Sequence, residues 1–139
     1  MTFILRRVGP GDEPIFDRTA ADVFDEAIDA ERLRAYLAQP GHLMLVALDD
    51  GEVVGQCAAV IHRHPDKVTE LYIDEVGVAT THLRQGIATA MVRAMFEWGR
   101  EMGCREAWLG TELDNLEANG LYRKVGGTAE HMQYYEFKL

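Results

Sequence analysis

Arg84-Gln85-Gly86-Ile87-Ala88-Thr89 sets a glycine directly before a run of helical periodicity. The first N–H groups of a helix have no partner inside it and stand at the positive end of its dipole, so such a turn suits an anion. Gly86 lets the backbone come close to a ligand, Ala88 keeps the next position small, and Arg84 adds charge. Alone the feature is unspecific, because a glycine at a helix start also serves simply to turn the chain. The sequence has neither a G-x-x-x-x-G-K-S/T loop nor a G-x-G-x-x-G fingerprint, which disfavours an ATPase or a dehydrogenase.

Other reactive residue types have plain structural readings. Ala118, Leu121, Tyr122 and Val125 share one helical face, so spacing alone makes Tyr122 a core aromatic. Asn115 reads as a helix cap, with Asp114 and Glu117 available for a capping box. Strand alternation puts Asp74 and Glu75 on opposite faces, so a regular strand would offer only one of them to a cleft. Each acid, Glu112 included, can equally be a solvated strand end or half of an ion pair. His62, His64 and His82 fall in turns, where exposure is expected. Cys57 and Cys104 lie in apolar contexts without ligand spacing or a nearby histidine, so they read as buried reduced thiols, with no disulfide, metal site or covalent nucleophile.

The elements that must position these residues follow from pattern. Thr2 to Arg7 is a first strand broken by Gly9-Pro10-Gly11, and a short helix begins near Asp12. A second helix follows Asp29 as N-cap and ends at Pro40-Gly41. Leu43–Leu48 and Glu52–His62 flank Asp49-Asp50-Gly51 as a hairpin, and Val68–Val78 is the next strand. From Gly86 to Met102 the apolar residues recur every three or four positions, the strongest helix signal in the chain. Ala107–Thr111 is a strand, Asn115–Val125 a helix closed by Gly126-Gly127, and His131–Leu139 a final strand that completes the sheet. Strands and helices in this order imply an α/β or α+β class with a mixed sheet.

A chain of 139 residues, 47% of them hydrophobic, matches one domain over 1–139. The absence of a long apolar run or a leader pattern points to a soluble, cytoplasmic protein and no membrane partner. A net charge of -9 disfavours nucleic acid as a partner and suits a cationic small molecule, although acidity also serves solubility. A homodimer stays open.

Taken together, two stretches resemble the GNAT (Gcn5-related) N-acetyltransferases. Val78 to Ala88 is similar to that family's cofactor loop, Q/R-x-x-G-x-G/A, between a strand and a helix. Asn115 to Gly126 is similar to its N-x-x-A-x-x-L-Y-x-x-x-G segment. Leu83 departs from the usual Gln or Arg, and Gly127 from a frequent aromatic. The resemblance covers essentially the whole chain and implies a mostly antiparallel mixed sheet of about seven strands with about four helices.

It further implies acetyl-CoA as co-substrate and no metal. The pyrophosphate would rest on Leu83, Arg84, Gln85, Gly86, Ile87, Ala88 and Thr89. The pantetheine arm would bond the backbone of Val76, Gly77 and Val78, on a strand splayed by a bulge that Gly77 eases. Asn115 would contact the cofactor and the Tyr122 hydroxyl would protonate the leaving thiolate, their reference pKa values being about 8.5 to 10. Glu75 is the first candidate for general base, Glu112 the second, with Tyr72 and Asp74 weaker. Locally, Glu70 to Val76 and His82 to Ala90 resemble the aminoglycoside 3-N-acetyltransferase branch, so the expected acceptor is an aminoglycoside-like or polyamine-like amine. A protein or peptide amine, a non-catalytic acyl-CoA-binding module and a purely structural interaction domain are the alternatives.

Overall fold

The computed structural model describes residues 2–139. Its centre forms where the sequence is most apolar. β2 (His42–Asp49) and β3 (Glu52–His62) meet at Asp50-Gly51, whose φ angles of 49° and 77° supply the tight turn read from the sequence. Consecutive residues of both strands are buried, Leu45 to Ala47 and Val53 to Ala59 among them, so this part of the sheet is covered on both faces.

β1 (Ile4–Val8) lies antiparallel to β2, β4 (Glu70–Val78) lies antiparallel to β3, and β5 (Glu106–Trp108) lies parallel to β4. The order across the sheet is β1-β2-β3-β4-β5. α1 (Ala30–Ala38) starts at Asp29, whose carboxylate accepts the Arg32 N–H at 2.9 Å, and packs on β2. The helix expected near Asp12 is a 3-10 segment, Glu13–Asp17, and it packs on β3. α2 (Ile87–Glu101) covers β2, β3 and β4 with Ile87, Met91, Val92 and Met95, the stripe that its periodicity announced. α3 (Leu116–Lys124) begins where the Asn115 side chain accepts the Ala118 N–H at 3.1 Å. It stops as the Gly126 and Gly127 N–H groups bond back to Arg123 and Tyr122. No helix among the described residues is long and apolar enough to cross a membrane.

The class agrees with expectation while the count is smaller: five strands and three α-helices among the described residues. β5 stops at Trp108 instead of running to Thr111, because β4 has no pairing with the chain beyond that point. His131–Leu139 is not a strand. It keeps a strand's alternation, but among the described residues it pairs with no strand of the sheet.

Candidate active site

Three rungs join β4 to β5, from Glu70↔Glu106 to Tyr72↔Trp108. The last is sealed by Tyr72 stacked on Trp108, ring centroids 4.2 Å apart. Past it the outer edge of β4 is free, and a cleft of about 430 Å³ opens between Ile73–Val78 on one wall and Leu109 to Thr111 on the other. Tyr122, Ala118 and Asn115 reach it from α3.

β4 carries one residue more than β3 can match. Ala58 pairs with Glu75 and Ala59 with Ile73, which leaves Asp74 as the bulge. The irregularity expected near Gly77 therefore lies three positions earlier. Its effect is chemical: Asp74 and Glu75 both line the cleft instead of facing opposite ways. Behind the bulge, Tyr36 donates from its hydroxyl to the Leu43 carbonyl at 2.9 Å and lies 3.5 Å from that of Ala59. Burial, then the charge of Asp74, raises the Tyr36 pKa well above the ordinary phenol range.

Gly77 has a different task, close approach. A Cβ there would stand 2.2 Å from the Val23 carbonyl oxygen. That contact draws the irregular stretch 18–29 against β4 and brings Asp22 and Asp25 to the cleft, two acids that sequence pattern does not find. Gln56, opposite Gly77 on β3, is 1% exposed. Its Nε2 donates to the same Val23 carbonyl at 3.5 Å, and its Oε1, on a residue lining the cleft, has no partner. Four carboxylates thus share one opening. Burial, then Asp25, then Asp74, raises the pKa of half-buried Glu75, since each neighbour disfavours another negative charge.

Tyr122 is half-buried on the opposite wall, its pKa raised by burial and then by Cys57. Burial pushes the Cys57 thiol up to about 12 and raises that of Cys104, so neither is a ready thiolate. Asn115 is both the cap of α3 and a cleft residue. Glu112 is exposed on the loop before α3 and does not line the cleft; its carbonyl accepts from the Asn115 N–H and the Asn119 side chain.

The loop Leu83–Thr89 follows β4 through a 3-10 turn, Thr80–His82, and is not part of the same cleft wall. Arg84 and Gly86 both take the left-handed conformation, φ 62° and 80°, so here the glycine answers a backbone angle. No side chain caps α2, and the N–H groups of Ile87, Ala88 and Thr89 precede the first intrahelical bond, Ala90 to Gly86. The exposed Arg84 guanidinium lies 3.8 Å from Glu117, a weak solvated pair. His82 departs from the exposed reading, because its Nε2 lies 2.7 Å from Asp49 and ties the loop to β2. His62 is exposed, while His64 contacts Glu70 at 3.0 Å. Among the described residues, only His62, His64 and Glu70 bring three potential metal ligands together, within 4.8 Å, at the other end of β4 from the cleft.

The model of the acetyltransferase (GNAT) family matches residues 13–127. Human N-acetyltransferase 8 is 33% identical over 94 residues, 67% of this chain and 41% of that protein, so the chain spans about two fifths of that relative. Aminoglycoside N(6′)-acetyltransferase type 1 of Acinetobacter haemolyticus is 25% identical over 119 residues, 82% of each chain. An aminoglycoside acetyltransferase from an uncultured soil metagenomic sample, solved in complex with sisomicin, superposes with a TM-score of 0.83. It covers 99% of this chain and 95% of its own at 22% identity, a likeness of fold.

Proposed function

The chain belongs to the GNAT acetyltransferase family, and from that premise we propose that it moves the acetyl group of acetyl-CoA directly to a primary amine of a small cationic acceptor. The observation that carries the acceptor class is the ring of Asp22, Asp25, Asp74 and Glu75 around one cleft. Four carboxylates at one opening repel one another until cations enter, and a polyamine or aminosugar brings several.

The same cleft supports a division of labour. The free outer edge of Val76 to Val78 offers unpaired strand groups to an extended amide-bearing arm, as a further strand would use them. The left-handed positions at Arg84 and Gly86 and the uncapped start of α2 suit the pyrophosphate, with Leu83 giving only its N–H. Asn115 supports the arm from α3. Glu75 accepts the ammonium proton; its raised pKa makes it a stronger base than an ordinary surface carboxylate. Glu112 is the second choice and would need its loop to turn inward. The amine then forms the new N–C bond and the C–S bond breaks; the neutral Tyr122 hydroxyl gives its proton to the thiolate, and the second proton shed by the acylated nitrogen restores Tyr122. Because burial raises its pKa, Tyr122 still holds that proton at neutral pH.

Calorimetric titration with acetyl-CoA, paired with a thiol-release assay over aminoglycosides, linear polyamines and peptide amines, tests the proposal. Binding together with release on a multi-amine small molecule is expected. Binding without release on any amine would identify an acyl-CoA-binding module instead, and failure to bind would refute the loop assignment.

A further inference from the structure

His62 closes β3 and Glu70 opens β4, and the two are partners in register, so both side chains stand on one face of the sheet. That face is the one away from α2, because the next side chain along β4, Leu71, lies against Gly99 of the helix. His64 returns to the same face two residues past His62. Its ring lies beside that of His62 with centroids 4.2 Å apart, and its Nε2 is 3.0 Å from the Glu70 carboxylate. Arg63, between the two histidines, serves elsewhere: its charge opposes the burial that raises the Cys104 pKa. One ligand atom from each of His62, His64 and Glu70 falls within 4.8 Å of the others.

Without a cation the grouping is costly. Glu70 has Glu106 as its partner on β5, and like charges directly opposite on neighbouring strands weaken a sheet. The contact with His64 answers only one of these two carboxylates. A metal ion would answer both, and the spacing suits one. Bonds of about 2.0–2.2 Å at a tetrahedral angle set ligand atoms about 3.3–3.6 Å apart. His64 and Glu70 already stand at that scale, and the exposed His62 closes its share by turning its side chain. Two imidazoles with one carboxylate suit zinc and its neighbours, whereas magnesium and calcium take oxygen ligands.

We propose that His62, His64 and Glu70 bind one divalent transition-metal ion, zinc foremost, with water in the remaining position and the Glu106 charge beside it. The site lies at the other end of β4 from the cleft, so the ion acts on the fold and not on the acetyl group. It pins both ends of the connection 63–69 and, through Glu70, the first rung between β4 and β5.

Untagged protein freed of metal by a chelator and titrated with zinc chloride in a calorimeter should take up one ion per chain, and magnesium chloride should give no uptake. His64→Ala and Glu70→Gln should each weaken zinc binding by at least about 100-fold, the upper end of what losing a mere supporting partner costs. His131→Ala, outside the cluster, should leave it unchanged. Zinc at about 100 times its dissociation constant should raise the melting temperature of the parent by roughly 5 °C or more and leave that of His64→Ala in place. All three variants should keep the circular dichroism of the metal-free parent. No uptake of zinc, uptake that survives both ligand substitutions, or uptake lost equally in His131→Ala would each overturn the site.

Discussion

Gly77→Ala puts the contact between β4 and the 18–29 stretch to a direct test. The new methyl carbon would sit 2.2 Å from the Val23 carbonyl oxygen, and ordinary contact begins near 3.4 Å, so 3.4 minus 2.2 leaves about 1.2 Å for one backbone to yield. Val23 is 2% exposed and packed into the core, so the retreat strains well-filled space at about 1–3 kcal/mol. It also breaks the Gln56 to Val23 hydrogen bond, already 3.5 Å long, and leaves a second buried amide group unpaired for about 1–3 kcal/mol more. The sum, about 2–6 kcal/mol, falls short of the roughly 7–20 kcal/mol expected for a chain of this length, so the variant should fold and be weakened. In urea, with a slope of about 1–3 kcal/mol per molar, the midpoint should drop by at least about 0.7 M. Because Asp22 and Asp25 travel with Val23, the acceptor KM should rise as well. A midpoint within about 0.3 M of the parent and an unchanged acceptor KM would show that the stretch yields freely, and the reasoning would fail.

Tyr122→Phe should lower kcat by about 10²- to 10⁴-fold with the acetyl-CoA KM changed only a few-fold, measured across pH; near-parental turnover would remove the general-acid role. The folded pKa of Glu75 lies above its unfolded value, so its contribution to stability is full below the unfolded pKa and is lost as pH rises through the folded one. Glu75→Gln should therefore raise Tm at pH 7 by no more than about 4 °C, leave it nearly unchanged at acidic pH, and cut acetyl transfer. A lower Tm at pH 7 would contradict the sign. Gly120 sits exposed inside α3 with nothing near its absent side chain, so Gly120→Ala should stabilise by about 0.5–1 kcal/mol in the same urea assay. A destabilised variant would mean that α3 is strained there.

What could be read from the sequence was whatever local pattern decides. Asp29, Asp50-Gly51 and Asn115 are a cap, a turn and a cap whose side-chain chemistry acts within three residues, and all three lie where the pattern puts them. α2 was legible because its apolar stripe needs only a sheet to cover it. The misses are non-local. Whether β5 continues past Trp108 depends on β4 following it, and whether His131–Leu139 becomes a strand depends on an edge being within reach. Asp22 and Asp25 could not be found at all, since they lie in an aperiodic stretch that reaches the cleft only because Gly77 has no side chain.

The bulge matters more to the chemistry than the identity of any one acid. In a regular β4, alternation would turn either Asp74 or Glu75 away, leaving that strand a single carboxylate, beside Asp22 and Asp25, both to hold the cation and to take its proton. Those tasks conflict: a carboxylate that has accepted the proton no longer holds a charge. Under the proposed mechanism the extra residue at Asp74 separates them, leaving the exposed Asp74 for attraction and half-buried Glu75, its pKa raised by burial and by its neighbours, to receive the proton. Deleting Asp74, which restores a continuous register with β3, should therefore cost more turnover than Asp74→Asn, because the deletion re-aims Glu75 while the substitution removes only one charge.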